Sequence, residues 1–547
     1  MNIGRRFLHS RSLISRLGIA MPATKVADQH VDPYSGLSRR KLIDKLRALE
    51  RSIGSPTPGP DVISSSATPT PTVDKLDFEF SKYPRRKIAL KFCYSGWEYC
   101  GLAYQIGPTP LPTVENVLFD VLAQTRLVDK DAGFDGCGWE KCGRTDRGVS
   151  AAGQVVSLWV RSRLPSEEVA ESEGPIEEEK IDEVDEVGQD LEDDFQSLSV
   201  SYGPSSSNTS VKKKLASAER EHDYVHMINR LLPPTIRVIA WSPVSPTFSA
   251  RFSCKYRHYK YFFSSLNLDI PAMQATAARL VGDHDFRNLC KLDVQKQITS
   301  FQRTILRASV EPVDTEDSES GRMYVFDLVG SAFLYHQVRH IVGVLFLIGS
   351  GLEPVSIITV LMNVREGAEP LHPEDVAAGK TTYAVMDRKP EYQMADALPL
   401  MLWDCAYDES DLDWRISNIP EGENDTELSV RGDLVNQLQG IHNRSRVYTA
   451  LDQHFLRAAQ KFHPSPPSAL PLKNGLEDFE KMKGKTDGTR HLNIPVGGGT
   501  FLRKGKYVSL MERKRLDPVE VANERWRVKE EARKGGPIKV PVDDGED

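Results

Sequence analysis

Long apolar runs are missing from this 547-residue chain. No stretch approaches the roughly 18 residues that a helix needs to cross a bilayer, which excludes a helical membrane-embedded protein. Cysteine is scarce. Seven in such a length, an odd number without ladder spacing, give no disulfide framework and suit a reducing compartment. The close pair Cys137 and Cys142 has no matching Cys or His pair downstream, so no zinc site is expected. Walker loop, dinucleotide fingerprint, metal-ligand cluster and nucleophile elbow are absent, so neither a metal nor a nucleotide cofactor is indicated. What is there, 39% hydrophobic and 27% charged residues, is an ordinary globular composition with length for several domains.

The formal charge of −7 averages over unlike segments. Between Ser166 and Gln196 stand 15 Asp or Glu against one Lys, and taking that −14 away leaves +7 for the rest. A mildly basic body is compatible with a polyanionic partner. The acidic stretch, with the Ser-rich run after it, cannot bury enough apolar surface to fold and reads as a disordered insertion at about 165–220.

The first 35 residues are basic, and up to Lys25 their arginines alternate with Leu, Ile and Ser in the manner of a mitochondrial transit peptide. A plain basic terminus reads the same way. Residues 36–82 carry a short polar helix and a Ser/Pro/Thr linker. From Lys87 a period-two pattern predicts a strand through Tyr94, and Thr113 caps a helix whose apolar face is Val114, Val117, Leu118, Val121 and Leu122. A Gly-rich loop over 133–153 precedes an apolar strand. Further strands are expected through Tyr259–Phe263, Ala308–Val313 and Tyr324–Val329. Helices are expected at 224–232, at 272–281 closed by Gly282, near 338–348 and at 355–362. Interleaved helices and paired strands from Lys87 to Tyr407 make an α+β (mixed α/β) catalytic region. The remainder, 408–547, is polar, with a helix at 451–459 and a loosely ordered basic stretch, ten Lys or Arg against two acids over 481–515.

Three segments could carry chemistry. In Lys141-Cys142-Gly143-Arg144-Thr145-Asp146-Arg147-Gly148, a carboxylate lies between two arginines in a loop whose glycines permit tight turns and close approach of a substrate. An Asp closing a surface turn fits the same residues. Around Arg251-Phe252 and Arg257-His258-Tyr259-Lys260-Tyr261, aromatics interleaved with bases suit stacking on a nucleobase with cations on phosphates. Core aromatics beside solvated bases are the alternative. In Tyr335-His336-Gln337-Val338-Arg339-His340, Arg339 sits among apolar residues and needs an anionic partner, with His336 and Gly343 on its helical face.

Taken in order, these segments resemble the TruA-type family of tRNA pseudouridine synthases, above all its eukaryotic branch acting on positions 38 and 39 of the anticodon arm. Asn229 with Leu231-Leu232-Pro233, Gly282-Asp283-His284-Asp285-Phe286 and Phe301-Gln302-Arg303-Thr304 add to the likeness, which spans about Arg85 to Tyr407. Ser150 stands where many members carry His. The resemblance implies two similar α/β halves, 83–246 and 247–407, around a basic cleft, and activity without cofactor. It implies Asp146 as catalytic nucleophile, with Tyr259, Arg144 and Arg339 binding the target nucleotide. Tyr259 would pack on the base and take the C5 proton late. Arg147, Arg251 and Arg257 would face the RNA. The implied partner is tRNA, the implied assembly a homodimer, and the implied location nucleus and cytoplasm, with a mitochondrial form if the basic N-terminus targets one. A sibling synthase with other target uridines and a non-catalytic tRNA-binding or folding protein are the competing readings.

Overall fold

The computed structural model describes residues 78–164, 221–313, 321–416, 433–464, 469–475, 477–478 and 492–534. The basic N-terminal segment, the polar helix, the linker and the acidic insertion fall outside the described residues.

Alternating apolar residues make β1 (Arg85–Tyr94), which pairs antiparallel with β3 (Ser150–Arg161) and β4 (Ile236–Pro243). Ala89 is buried like its neighbours Ile88 and Leu90, so the centre of β1 is covered on both faces. A short strand, β2 (Glu140–Lys141), also pairs with β3. α1 (Val114–Gln124) starts where Thr113 accepts a hydrogen bond from the Asn116 amide, and buries Leu118, Val121 and Leu122 against these strands. α2 (Gly133–Gly136) and α3 (Tyr224–Asn229) are short.

A second set of strands, β5 (Tyr256–Ser264), β6 (Gly282–Asp285), β7 (Gln302–Pro312) and β8 (Met323–Gly330), is joined to the first by β9 (Leu400–Ala406). The nine strands form one sheet, ordered β4-β1-β3-β9-β5-β8-β7-β6 with β2 on the side of β3. Strand β9 runs parallel to β3 through Ser150–Met401 and Ala151–Leu402, and antiparallel to β5. It is the seam between the halves. Over the second set lie α4 (Ile270–Ala278), α5 (Gln337–Gly349), α6 (Ile357–Met362) and α7 (Pro373–Ala377). α5 is buried all round except at Arg339, as a helix that is apolar on every face must be.

Three elements differ from expectation. Gly282 opens β6 with φ 121° instead of closing a helix; α4 ends at Ala278. The basic C-terminal stretch is no loose appendage. Its hairpin, β10 (Leu492–Gly497) with β11 (Thr500–Lys504), and the segment after it bury Leu492, Ile494, Tyr507 and Leu510 in the core of the second half. Buried Glu353 accepts hydrogen bonds from the Tyr507 hydroxyl and the Leu510 amide, each at 2.7 Å, and ties that segment down. The helix expected over 451–459 is a 28-residue helix, α8 (Asp433–Gln460). The chain closes on α9 (Val519–Lys534). None of the described helices is long and apolar enough to cross a membrane.

Candidate active site

Asp146 lies in the loop between β2 and β3, and the first half fixes that loop from below. Buried Glu115 on α1 accepts from Lys141 Nζ at 2.6 Å and Trp139 Nε1 at 2.8 Å, which anchors its start. Tyr94 and Thr145 share a 2.6 Å hydrogen bond between hydroxyls, and Gln154 Nε2 donates to the Gly143 carbonyl at 3.0 Å. The neighbouring segment 96–102 packs against the loop only because glycine stands at two positions. A Cβ on Gly96 would meet the Val149 carbonyl oxygen at 2.0 Å, and Gly101, at φ 88°, lies against Thr145–Arg147 with a Cβ there 3.1 Å from the Thr145 carbonyl oxygen. Val149 then inserts into the core of the second half.

From that half the start of α5 reaches Asp146. His336 Nε2 lies 3.0 Å and Arg339 Nη1 3.3 Å from the same carboxylate oxygen, Oδ2. Arg339 is held in turn. Its Nε donates to the Ala395 carbonyl at 2.9 Å, and the Ala395 amide donates to the Arg339 carbonyl at 3.0 Å. Tyr335 packs its ring on His336 with centroids 3.8 Å apart, and Lys291 Nζ stands 5.3 Å from the Tyr335 ring. Burial, then the charges of Asp146 and Asp293, push the Tyr335 phenol up.

The other expected residues fall into two groups. Tyr259 lies on β5 at the point where its pairing with β9 shifts register, a bulge that re-aims the side chain. Its ring meets Phe333 edge-on at 5.1 Å, and burial raises its phenol well above the ordinary range, so the hydroxyl stays protonated at neutral pH. Arg144 and Arg147 flank Asp146 and are exposed, and among the described residues neither is ion-paired. Arg251 is exposed beside Phe252, its guanidinium 5.0 Å from that ring. Lys296 stands close to this group. Burial and then the charges of Arg144, Arg251 and Arg303 lower its ammonium, against the pull of Asp293. Arg257 differs from expectation: its guanidinium donates to the carbonyls of Ser331, Cys142 and Arg251 at 2.8–3.2 Å, tying three segments of the site together.

Sequence reasoning missed His336 as a site residue, although its place three residues before Arg339 was the available signal. It also missed that Cys142, Cys254 and Cys405 gather as buried free thiols beside Arg257, with Cys254 Sγ donating to the Tyr256 carbonyl at 3.3 Å. Among the described residues no group of His, Cys, Asp and Glu is arranged to hold a metal ion. What the arrangement offers is a single carboxylate held by two donors from the opposite half, with aromatics and exposed cations around it.

A family model described as tRNA pseudouridine synthase matches residues 276–386. The tRNA pseudouridine(38/39) synthase of Homo sapiens is 39% identical over 339 residues, which are 61% of this chain and 58% of the human protein. The match thus spans less than two thirds of that relative. The protein of the same name from Saccharomyces cerevisiae is 34% identical over 454 residues, 83% of this chain and 80% of the yeast protein. A tRNA pseudouridine synthase A from Methanothrix thermoacetophila is 30% identical over 305 residues, 55% of this chain and 85% of its own.

Proposed function

The chain belongs to the tRNA pseudouridine synthase family, and from that premise we propose that it isomerises uridine to pseudouridine in the anticodon stem-loop of tRNA, at positions 38 and 39, the sites named for its relatives. The observation that carries the reading is the Asp146 carboxylate, gripped across the seam by His336 and Arg339. In this reaction the C1′–N1 bond breaks and its electron pair leaves on the uracil. Asp146 is the nucleophile that meets the electrophilic centre so formed. After the base turns, C5 bonds to C1′, the carboxylate departs with its pair, C5 loses its proton and N1 gains one. Substrate and product are isomers, so no external donor or oxidant is consumed.

Arg339 keeps the carboxylate ionised and oriented. Arg144, Arg147 and Arg251 are the cations that meet phosphates, and Tyr259 packs on the base. The target nucleotide must leave its stack to reach Asp146, which is cheapest in an already distorted loop. A homodimer is also proposed, supported by the exposed apolar side chains Leu438, Tyr448, Leu451 and Phe455 on α8. The test of the function is a map of pseudouridine in tRNA from cells with and without this protein. Loss at positions 38 and 39 is expected. Loss at other uridines would redirect the target, and no loss anywhere would favour a tRNA-binding protein.

A further inference from the structure

His336 holds the first residue before α5 in the left-handed region, at φ 60° and ψ 13°, which a non-glycine residue rarely adopts. The turn that imposes this is closed twice: the Gln337 amide donates to the Leu334 carbonyl at 3.0 Å, and Gln337 Oε1 accepts from the Leu334 amide at 2.8 Å. The result is that the imidazole points back across the seam. Its side chain is 8% exposed, it lies under the Tyr335 ring, and its polar contact among the described residues is Asp146 Oδ2 at 3.0 Å. Nδ1 is buried without a partner. A carboxylate only accepts, so Nε2–H is the group that can donate to it at this distance.

Arg339 meets the same oxygen at 3.3 Å, and no described residue donates to Oδ1. We infer that His336 is a positioning residue of the reaction: with Arg339 it pins Oδ2 of Asp146 and leaves Oδ1 as the oxygen presented to the target nucleotide. One donor alone would let the carboxylate rotate about its terminal bond, which is soft. Two contacts, one from the residue before α5 and one from its first turn, remove that freedom before substrate arrives. The inference rests on Asp146 being the catalytic carboxylate.

The test uses substitutions that the left-handed backbone accepts, in the full-length protein on one tRNA transcript. His336→Asn keeps a polar group near Nδ1 but cannot reach Asp146. Its single-turnover rate at saturating protein should fall about 30- to 100-fold, the scale of a misplaced reacting group, with tRNA affinity within about two-fold of wild type. His336→Gly should lose as much and regain at least ten-fold with imidazole at pH 8.5. It should regain nothing with 1-methylimidazole, which fills the space but, when neutral, has no N–H to donate. A wild-type rate in His336→Asn, or equal rescue by both compounds, overturns the inference and leaves His336 a packing residue. Asp146→Asn is assayed beside them. If it is active, the nucleophile reading falls and this inference with it; if it is inactive while His336→Asn is normal, only this inference falls.

Discussion

At the scale of single residues, the question is which charges act on the reacting centre and which on the fold. Asp146→Asn nearly preserves shape, so melting should be unchanged and tRNA binding equal or slightly tighter, since one anion leaves a cationic surface. Pseudouridine formation should fall below detection, because an amide cannot supply the charge. Retained turnover on one transcript would remove Asp146 as nucleophile. The arginines separate by their partners. Arg147 is exposed and not ion-paired among the described residues, so Arg147→Ala should lower the salt slope of tRNA binding by about one unit. Arg257 spends its guanidinium on three carbonyls, so Arg257→Ala should leave that slope alone and cost about 1–3 kcal/mol of stability in urea melts. A changed slope with unchanged stability would return Arg257 to the RNA surface. The sequence could show that an Asp lay between cations and that a buried arginine needed an anion. That Arg257 would turn inward depends on carbonyls brought from residues 142, 251 and 331, a tertiary fact that no local pattern carries.

Among elements, α5 and the segment 389–399 behave as one unit. Gly343 lets them touch: a Cβ there would stand 2.8 Å from the Gln393 carbonyl oxygen and 3.4 Å from the Ala395 amide nitrogen. Ala395 holds Arg339, so Gly343→Val should do two things at once. It should lower stability by about 1–3 kcal/mol through overpacking and slow single-turnover chemistry through a displaced Arg339. Lower stability with normal chemistry would show that the arginine is held by other means. Deeper in the same contact Lys389 is half-buried, bonded to the Cys290 carbonyl and to His340, and burial pushes its ammonium down to about 8 from 10.5. Between those values the unfolded chain binds more protons than the native one, so stability should rise with pH by about 1–3 kcal/mol across that window. Lys389→Met should flatten the rise seen in urea melts at successive pH values, and an unchanged rise would assign it to other groups. Elements with a steady apolar period, β1, α1 and α5, were legible because burial wrote that period. The β10–β11 hairpin was not. Its buried Leu492 and Ile494 lie within 481–515, where ten Lys or Arg outnumber the four buried apolar residues, and composition hides them. β6 was missed because Gly282 serves a left-handed turn into a strand as well as it ends a helix.

For the molecule as a whole, α8 is the helix that exposes a row of large apolar side chains, Leu438, Tyr448, Leu451 and Phe455 among them. α8 is rooted on the edge strand β4, where Arg237 Nε donates to Gln437 Oε1 at 2.6 Å, and beyond that its side chains are largely exposed. Leu434, Ile441, Tyr448 and Phe455 recur every seventh residue, and Leu438 and Leu451 fill positions between them. Tyr448 is 59% and Phe455 66% exposed. Apolar side chains along one side of a helix favour burial against another surface, and an isolated helix gains little from propensity alone. An identical helix presents the same stripe, and the prediction is that a second copy of this chain covers it. Sequence periodicity over 451–459 displayed only the end of that stripe, because Ser445 and Asp452 interrupt the intermediate positions and Gly440 weakens the helix signal. Light scattering at micromolar concentration should therefore give twice the chain's 61.3 kDa. Tyr448→Glu with Phe455→Glu, far along the helix from its root, should give a monomer with the melting of the catalytic region retained. If dimers position tRNA across two subunits, that monomer should lose affinity for tRNA while keeping its single-turnover rate at saturating protein. A wild-type protein that scatters as a monomer, or a double variant that stays dimeric, would remove α8 as the interface.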